Sequence, residues 1–126
     1  MTPDLPLVVA GLQDAFERYE RALIAHDLEA MAAAFIDDER VVRFGIADRQ
    51  HGAGELARWR AAQLPLPPGR TLFETAVHTW GESFGVVTTC FCYPGRALLG
   101  RQSQTWTRID GSWRIVSAHV SEISEP

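Results

Sequence analysis

The sequence is short of the features that define several common protein classes. None of its apolar runs reaches the length needed to span a bilayer. Positive charge is not in excess: 12 Lys and Arg stand against 16 Asp and Glu, for a net charge of −4. A nucleic-acid surface would normally show a basic patch, so neither nucleic acid nor a membrane is an expected partner. The first residues, Met1-Thr2-Pro3-Asp4, bring no basic n-region and no long apolar h-region, which argues against a signal peptide and for a cytoplasmic chain.

Cysteine is scarce as well. Cys90 and Cys92 are one residue apart, share a face if they lie on a strand, and are awkwardly placed for a disulfide. A reduced compartment fits them, and small strand cysteines are usually core. The histidines His26, His51, His78 and His119 show no ligand spacing with them, so neither a metal nor a cofactor is expected. There is no Ser-His-Asp pattern, phosphate loop or dinucleotide fingerprint. Gly52-Ala53-Gly54 reads as a turn and cap.

What the sequence does contain is ordinary for one globular domain over residues 1–126: 46% hydrophobic and 22% charged residues. Val8, Leu12, Phe16, Tyr19 and Leu23 make one stripe at helical period, predicting a helix over 6–24. Asp27 is a fair N-cap for a second helix over 28–35. Residues 41–44 read as a strand and 45–51 as a turn region or short hairpin. A third helix over about 55–63 carries Leu56, Trp59, Arg60 and Gln63 along one side, and is stopped by Pro65, Pro67 and Pro68.

From Arg70 the pattern switches to period two. Strands are predicted over 71–80, 84–93, 99–108 and 113–121, linked by Gly81-Glu82, Pro94-Gly95 and Asp110-Gly111. Helices followed by a meander give an α+β layout with helices on one face of a curved sheet. With a two-residue Asp-Gly turn, Gln102, Gln104, Trp106, Ile115, Ser117 and His119 share one face, and Ser103 lies on the other with Thr105, Val116, Ala118 and Val120. A bulge would shift this assignment by one residue.

Arg43 stands out. It sits inside the apolar run Val41-Val42-Arg43-Phe44. A cation there costs several kcal/mol unless it is paired or meets an anionic ligand. Its guanidinium could grip a carboxylate through two parallel hydrogen bonds. The competing reading is a structural ion pair with an acid such as Glu20 or Asp27. Tyr19, on the apolar stripe, either ends at the core rim with its hydroxyl bonded or orients a ligand and relays a proton. A phenol, with a reference pKa of about 10, is a poor base unless a cation steadies the phenolate. Gln104 and His119 could line the same cavity, and Trp59 is a candidate pocket wall. A structural role for His119, and a dimer-interface role for Gln102, Ser103 and Gln104, are the plainer alternatives. Trp80, Trp106 and Trp113 read as core or interface anchors.

The helices-then-meander layout, with Gly111-Ser112-Trp113-Arg114-Ile115-Val116 and His119-Val120-Ser121 at its end, resembles the nuclear-transport-factor-two-like superfamily. That resemblance implies a cone-shaped fold, with three N-terminal helices packed on a curved, mostly antiparallel sheet. More specifically, Phe16-Glu17-Arg18-Tyr19-Glu20-Arg21-Ala22-Leu23, Val41-Val42-Arg43-Phe44-Gly45, Gly100-Arg101-Gln102-Ser103-Gln104-Thr105-Trp106 and Ala118-His119-Val120-Ser121 resemble the AtzH-like family. This resemblance implies a cofactor-free amidohydrolase or decarboxylase that converts a carboxylated urea such as 1,3-dicarboxyurea toward allophanate, in cyanuric acid or oxalurate catabolism. It implies Tyr19 and Arg43 as the functional pair, a homodimer or higher homo-oligomer, and a pathway amidase as a neighbour. A non-catalytic ligand-binding or accessory subunit is the alternative. Near the end of the third helix the resemblance implies an arginine, where the matching position here is Gln63.

Overall fold

The computed structural model describes residues 1–124. Pro6 opens α1 (Pro6–Ala25), where its missing N–H costs nothing. The helix ends at His26, whose left-handed backbone (φ 53°) lets its N–H return to the carbonyls of Ala22 and Leu23. Asp27 then caps α2 (Leu28–Ala33), its carboxylate accepting the Ala30 N–H at 3.1 Å.

Next come β1 (Val42–Phe44) and β2 (Arg49–His51), a short antiparallel hairpin, followed by α3 (Ala53–Ala61). The segment 45–51 is thus a hairpin with its own strand. The long strands follow: β3 (Thr71–Trp80), β4 (Phe84–Cys92), β5 (Leu98–Ile109) and β6 (Ser112–Ser124). Asp110 and Gly111 both take positive φ (50° and 79°), the geometry that lets a two-residue turn match strand twist, and Ile109 faces Ser112 across it.

The sheet order is β2-β1-β6-β5-β4-β3. Every pairing is antiparallel except β1 with β6, where Arg43 lies beside Ala118. One side of the sheet carries the helices. Leu12, Phe16 and Tyr19 of α1 and Met31 of α2 pack with Val87, Trp106 and Ile115 in a single core. Trp106, Leu12 and Ile115 are fully buried, each large apolar side chain contributing about 1.5–3 kcal/mol. Gly85 allows α1 to approach β4 closely: a methyl group there would strike Leu12 and the His78 carbonyl.

Two bulges bend the long strands. One lies in β3 between Phe73 and Ala76, the other where Thr105 pairs with Ser117 but Trp106 pairs with Ile115. The second leaves Val116 as an extra residue on β6. It corrects the face assignment: beyond it Ala118, Val120 and Glu122 point to the helix side, while Ser117 and His119 point outward. On β5 the expected alternation holds, with Gln102 and Gln104 buried and Ser103 exposed. Cys90 and Cys92 are half-buried on the outer face rather than in the core, because the odd positions of β4 are the buried ones.

Candidate functional site

A cavity of about 190 Å³ lies between the helices and the sheet, with exposed Ile46 and Leu64 at its mouth. A larger cleft of about 730 Å³ between α2 and α3 touches it only through Met31 and Arg60. The smaller space is the candidate site because buried polar groups converge on it.

Arg43 reaches this cavity from β1 with its side chain 12% exposed. Its Nη1 donates to Asp48 Oδ1 at 2.8 Å and to Gln50 Oε1 at 3.1 Å. Gln50 Nε2 donates to the same Asp48 oxygen at 2.8 Å, so the hairpin closes a three-residue ring around one guanidinium nitrogen. The ring explains Gly45: a methyl group there would collide with the Asp48 carboxylate and Arg43 Nη1. The Arg43 guanidinium lies 4.5 Å from the centre of the Trp59 ring, a cation–π contact. Burial is the main influence pushing Arg43 below its ordinary pKa; Tyr19 opposes this, Arg60 adds to it by repulsion, and Asp48 opposes it. A guanidinium stays charged through all of this. The ion-pair partner is therefore Asp48. Glu20 is engaged elsewhere, and Asp27 is a helix cap.

Arg60, on α3, is the candidate site residue that sequence reasoning passed over. It is 8% exposed, and Nη2 donates to the Tyr19 hydroxyl at 2.8 Å. Nη1 lies 3.4 Å from Met31 Sδ, and the aromatic rings of Tyr19, Phe35 and Trp59 surround the guanidinium at 5.7–5.9 Å. Among the described residues no carboxylate pairs with it. It lies one turn before the exposed Gln63, the position at which the family resemblance implies an arginine. Its spacing from the buried Leu56, four residues earlier, was the available signal.

Tyr19 accepts from Arg60, which leaves its own proton without an acceptor among the described residues. Gln104 is 2% exposed, and its orientation is fixed because an indole N–H can only donate: Trp106 Nε1 gives to Gln104 Oε1 at 2.9 Å. The Nε2 donors of Gln104 make no hydrogen bond among the described residues, and the residue lines the cavity. His26 also lines it, from the end of α1.

His119 does not. It is exposed on the outer face, in an open groove with Glu74, Arg101 and Ser103, its ring edge-on to Phe44 at 5.8 Å. The bulge at Val116 put it there. The structure thus brings Tyr19, Arg43, Trp59 and Gln104 together, adds Arg60, and removes His119.

A second buried cluster adjoins the first. Arg70 donates from Nε to Glu20 Oε2 at 3.0 Å, from Nη2 to Gln102 Oε1 at 3.2 Å, and from Nη1 to the Tyr93 hydroxyl at 3.3 Å. Gln102 Nε2 completes it by donating to Glu20 Oε1 at 3.0 Å. Burial weighs most against the Arg70 charge, yet the bonds and charge of Glu20, with Tyr93, outweigh it and raise Arg70 above its ordinary value. No group of three or more His, Cys, Asp or Glu residues suited to a metal ion occurs among the described residues.

Fold and cavity together define a class: a small α+β domain of the NTF2-like, or cystatin-like, kind whose interior cavity is lined by guanidinium groups. Within that class the chain belongs to the AtzH-like family, whose model matches residues 1–126. It is similar in structure to a cystatin-like fold protein from Burkholderia xenovorans LB400, at 45% identity and a TM-score of 0.97, over 100% of this chain and 99% of that chain. A protein of unknown function from Pectobacterium atrosepticum SCRI1043 shares 36% identity with a TM-score of 0.93, over 97% and 95% of the two chains. An NTF2-like protein of unknown function from Pseudomonas putida KT2440 shares the fold at 16% identity, with a TM-score of 0.78 over 93% and 87%. No curated protein matches the chain.

Proposed function

We propose that the protein is a small enzyme acting on a carboxylated urea of the 1,3-dicarboxyurea type, removing one carboxyl group from nitrogen to leave allophanate. The observation that carries this reading is Arg60: a buried guanidinium with no carboxylate partner among the described residues, beside a second guanidinium that repels it. A ligand carboxylate bound by Arg43 and Arg60 relieves both the repulsion and the desolvation. Gln104 Nε2 is free to donate to a urea carbonyl.

The residues suit the bond to be broken. A carboxyl group on a urea nitrogen leaves as carbon dioxide once that nitrogen takes a proton. Tyr19 has a proton to give, and Arg60 meets the negative charge that develops on the phenol oxygen. The lone pair of the nitrogen takes the proton, the electron pair of the N–C bond returns to nitrogen as carbon dioxide departs, and water restores the phenol proton, its hydroxide being taken up by carbon dioxide as bicarbonate. The same event is cleavage of an amide-like bond and decarboxylation, in keeping with a cytoplasmic step of cyanuric acid or oxalurate breakdown. Exposed Phe44, Phe73, Trp80 and Phe84 on the outer side of the sheet suit a homodimer formed through that face.

One observation favours a second reading, a binding or accessory subunit serving an amidase. The carboxylates around the cavity, Glu20, Asp48 and Glu122, are each held by an arginine, so Tyr19 must do the proton chemistry without a carboxylate base. Incubating the purified chain with dicarboxyurea separates the two. Release of carbon dioxide with accumulation of allophanate is expected; a ligand-induced rise in Tm without turnover would establish the binder instead.

A further inference from the structure

The cavity has a cation that neither the core nor the proposed chemistry uses. Arg96 follows the Pro94-Gly95 turn after β4 and lines the cavity from its solvent side. Its side chain is 41% exposed, far more than Arg43 or Arg70. It is held lightly. A single nitrogen, Nη2, donates to both oxygens of Glu122, at 3.1 and 3.3 Å, and the guanidinium rests 5.7 Å from the centre of the Tyr93 ring. Nη1 and Nε make no hydrogen bond among the described residues. Gly95 carries φ 76° with nothing near the place a Cβ would take, so the turn bearing Arg96 is open on that side.

The other arginines of the cavity are committed. Arg70 spends all three nitrogens on Glu20, Gln102 and Tyr93. Arg43 and Arg60 serve the deep end. A ligand with a carboxylate at each end, the first bound by Arg43 and Arg60 together, meets Arg96 as the remaining cavity arginine with donors to spare for the other.

We infer that Arg96 is the specificity residue for a second ligand carboxylate, which takes up its two unused nitrogens while Glu122 keeps the third. The site therefore recognises small linear dicarboxylates over monocarboxylates of the same length. This rests on the reading of Arg43 and Arg60 as the first carboxylate anchor, and extends it to the far end of the ligand. Glu122 acts as a competitor: it holds Arg96 over the mouth and weakens its grip on a second anion.

Calorimetric titration of the full chain with malonate, succinate and glutarate, against propionate, butyrate and valerate, tests this. At least one dicarboxylate should bind about tenfold more tightly than its monocarboxylate counterpart, the scale of one charge-assisted contact open to solvent. Arg96→Ala should erase that preference while leaving monocarboxylate affinity unchanged, and Glu122→Gln should enlarge it. A wild-type chain with no preference, or a preference that survives Arg96→Ala, overturns the inference. If no carboxylate binds, or binding survives Arg43→Met, the first anchor itself has failed, a distinct result in which Arg96 plays no part.

Discussion

The two buried arginine clusters of this protein lie side by side and are built on opposite principles. Around Arg70 every guanidinium nitrogen meets an acceptor: Glu20 neutralises the charge, and Gln102 and Tyr93 add to it. Around Arg60 the partners are a phenol, a thioether and three aromatic rings, none of them anionic. Both sets of groups are withdrawn from water, so the first is complete and the second lacks an anion among the described residues. A matched buried pair fixes α1 against the sheet. An unmatched buried cation is tolerated where a ligand supplies the anion.

The contrast can be broken most severely at the unmatched end. Arg43→Met and Tyr19→Phe should each lower turnover of dicarboxyurea by about 10²–10³-fold, the usual cost of removing one preorganised group from a reacting centre. Their melting temperatures should fall far less than turnover does, because Asp48 keeps the Gln50 Nε2 bond and some exposure to water, and Arg60 keeps its aromatic neighbours. Steady-state kinetics beside thermal melts would show this split, and a fully active double variant would sink the assignment.

Glu20→Ala attacks the matched end and should do the reverse. Stranding Arg70 in the interior should cost about 3–5 kcal/mol of stability, read by chemical denaturation. A loss under about 1 kcal/mol, the range of solvent-exposed pairs, would mean that the cluster is far wetter than it looks.

Arg60→Met sharpens the comparison with a smaller effect. Removing an unpaired buried cation should leave the apo protein equally stable or stabilise it by about 1 kcal/mol, while abolishing the rise in Tm on adding a carboxylate. A marked destabilisation would place Arg60 with Arg70 as a structural residue.

The smallest effect concerns pH. Asp38 is held well below the usual carboxylate range, first by the side-chain hydrogen bond from Arg40 and then by its backbone N–H. Asp4 is lowered first by the Thr79 N–H and then by His78. A depressed folded pKa means that the unfolded chain takes up protons first on acidification. The contribution of these groups is present above about pH 4 and is lost as pH falls through their folded values. Tm should therefore fall from pH 5 to pH 2, and Asp38→Asn should flatten that decline slightly.

Much of this was legible in the residues. The long strands, their turns and the oddity of Arg43 follow from period-two alternation, Asp-Gly chemistry and the cost of a cation among valines. Arg60 was hidden because an arginine on a helix is ordinarily a surface residue, and only its place one turn from Leu56 hinted otherwise. Asp48 was hidden because the strand it precedes has three residues, too few for a periodic signal. The position of His119 depended on a bulge, which packing decides and local propensity does not announce.

That bulge works much as a frameshift does in a message. Arg43 and Gln50 are registered on Ala118, which lies past it, and so are Val120 and Glu122. Were Val116 to take a place in the ladder, with no bulge, the wall of the cavity would not be lost but translated into another, with Ser117, His119 and Ser121 turned inward. Straightening the strand at that one residue exchanges an apolar and acidic lining for one of hydroxyls and an imidazole. The strands that hold it would stay as they are.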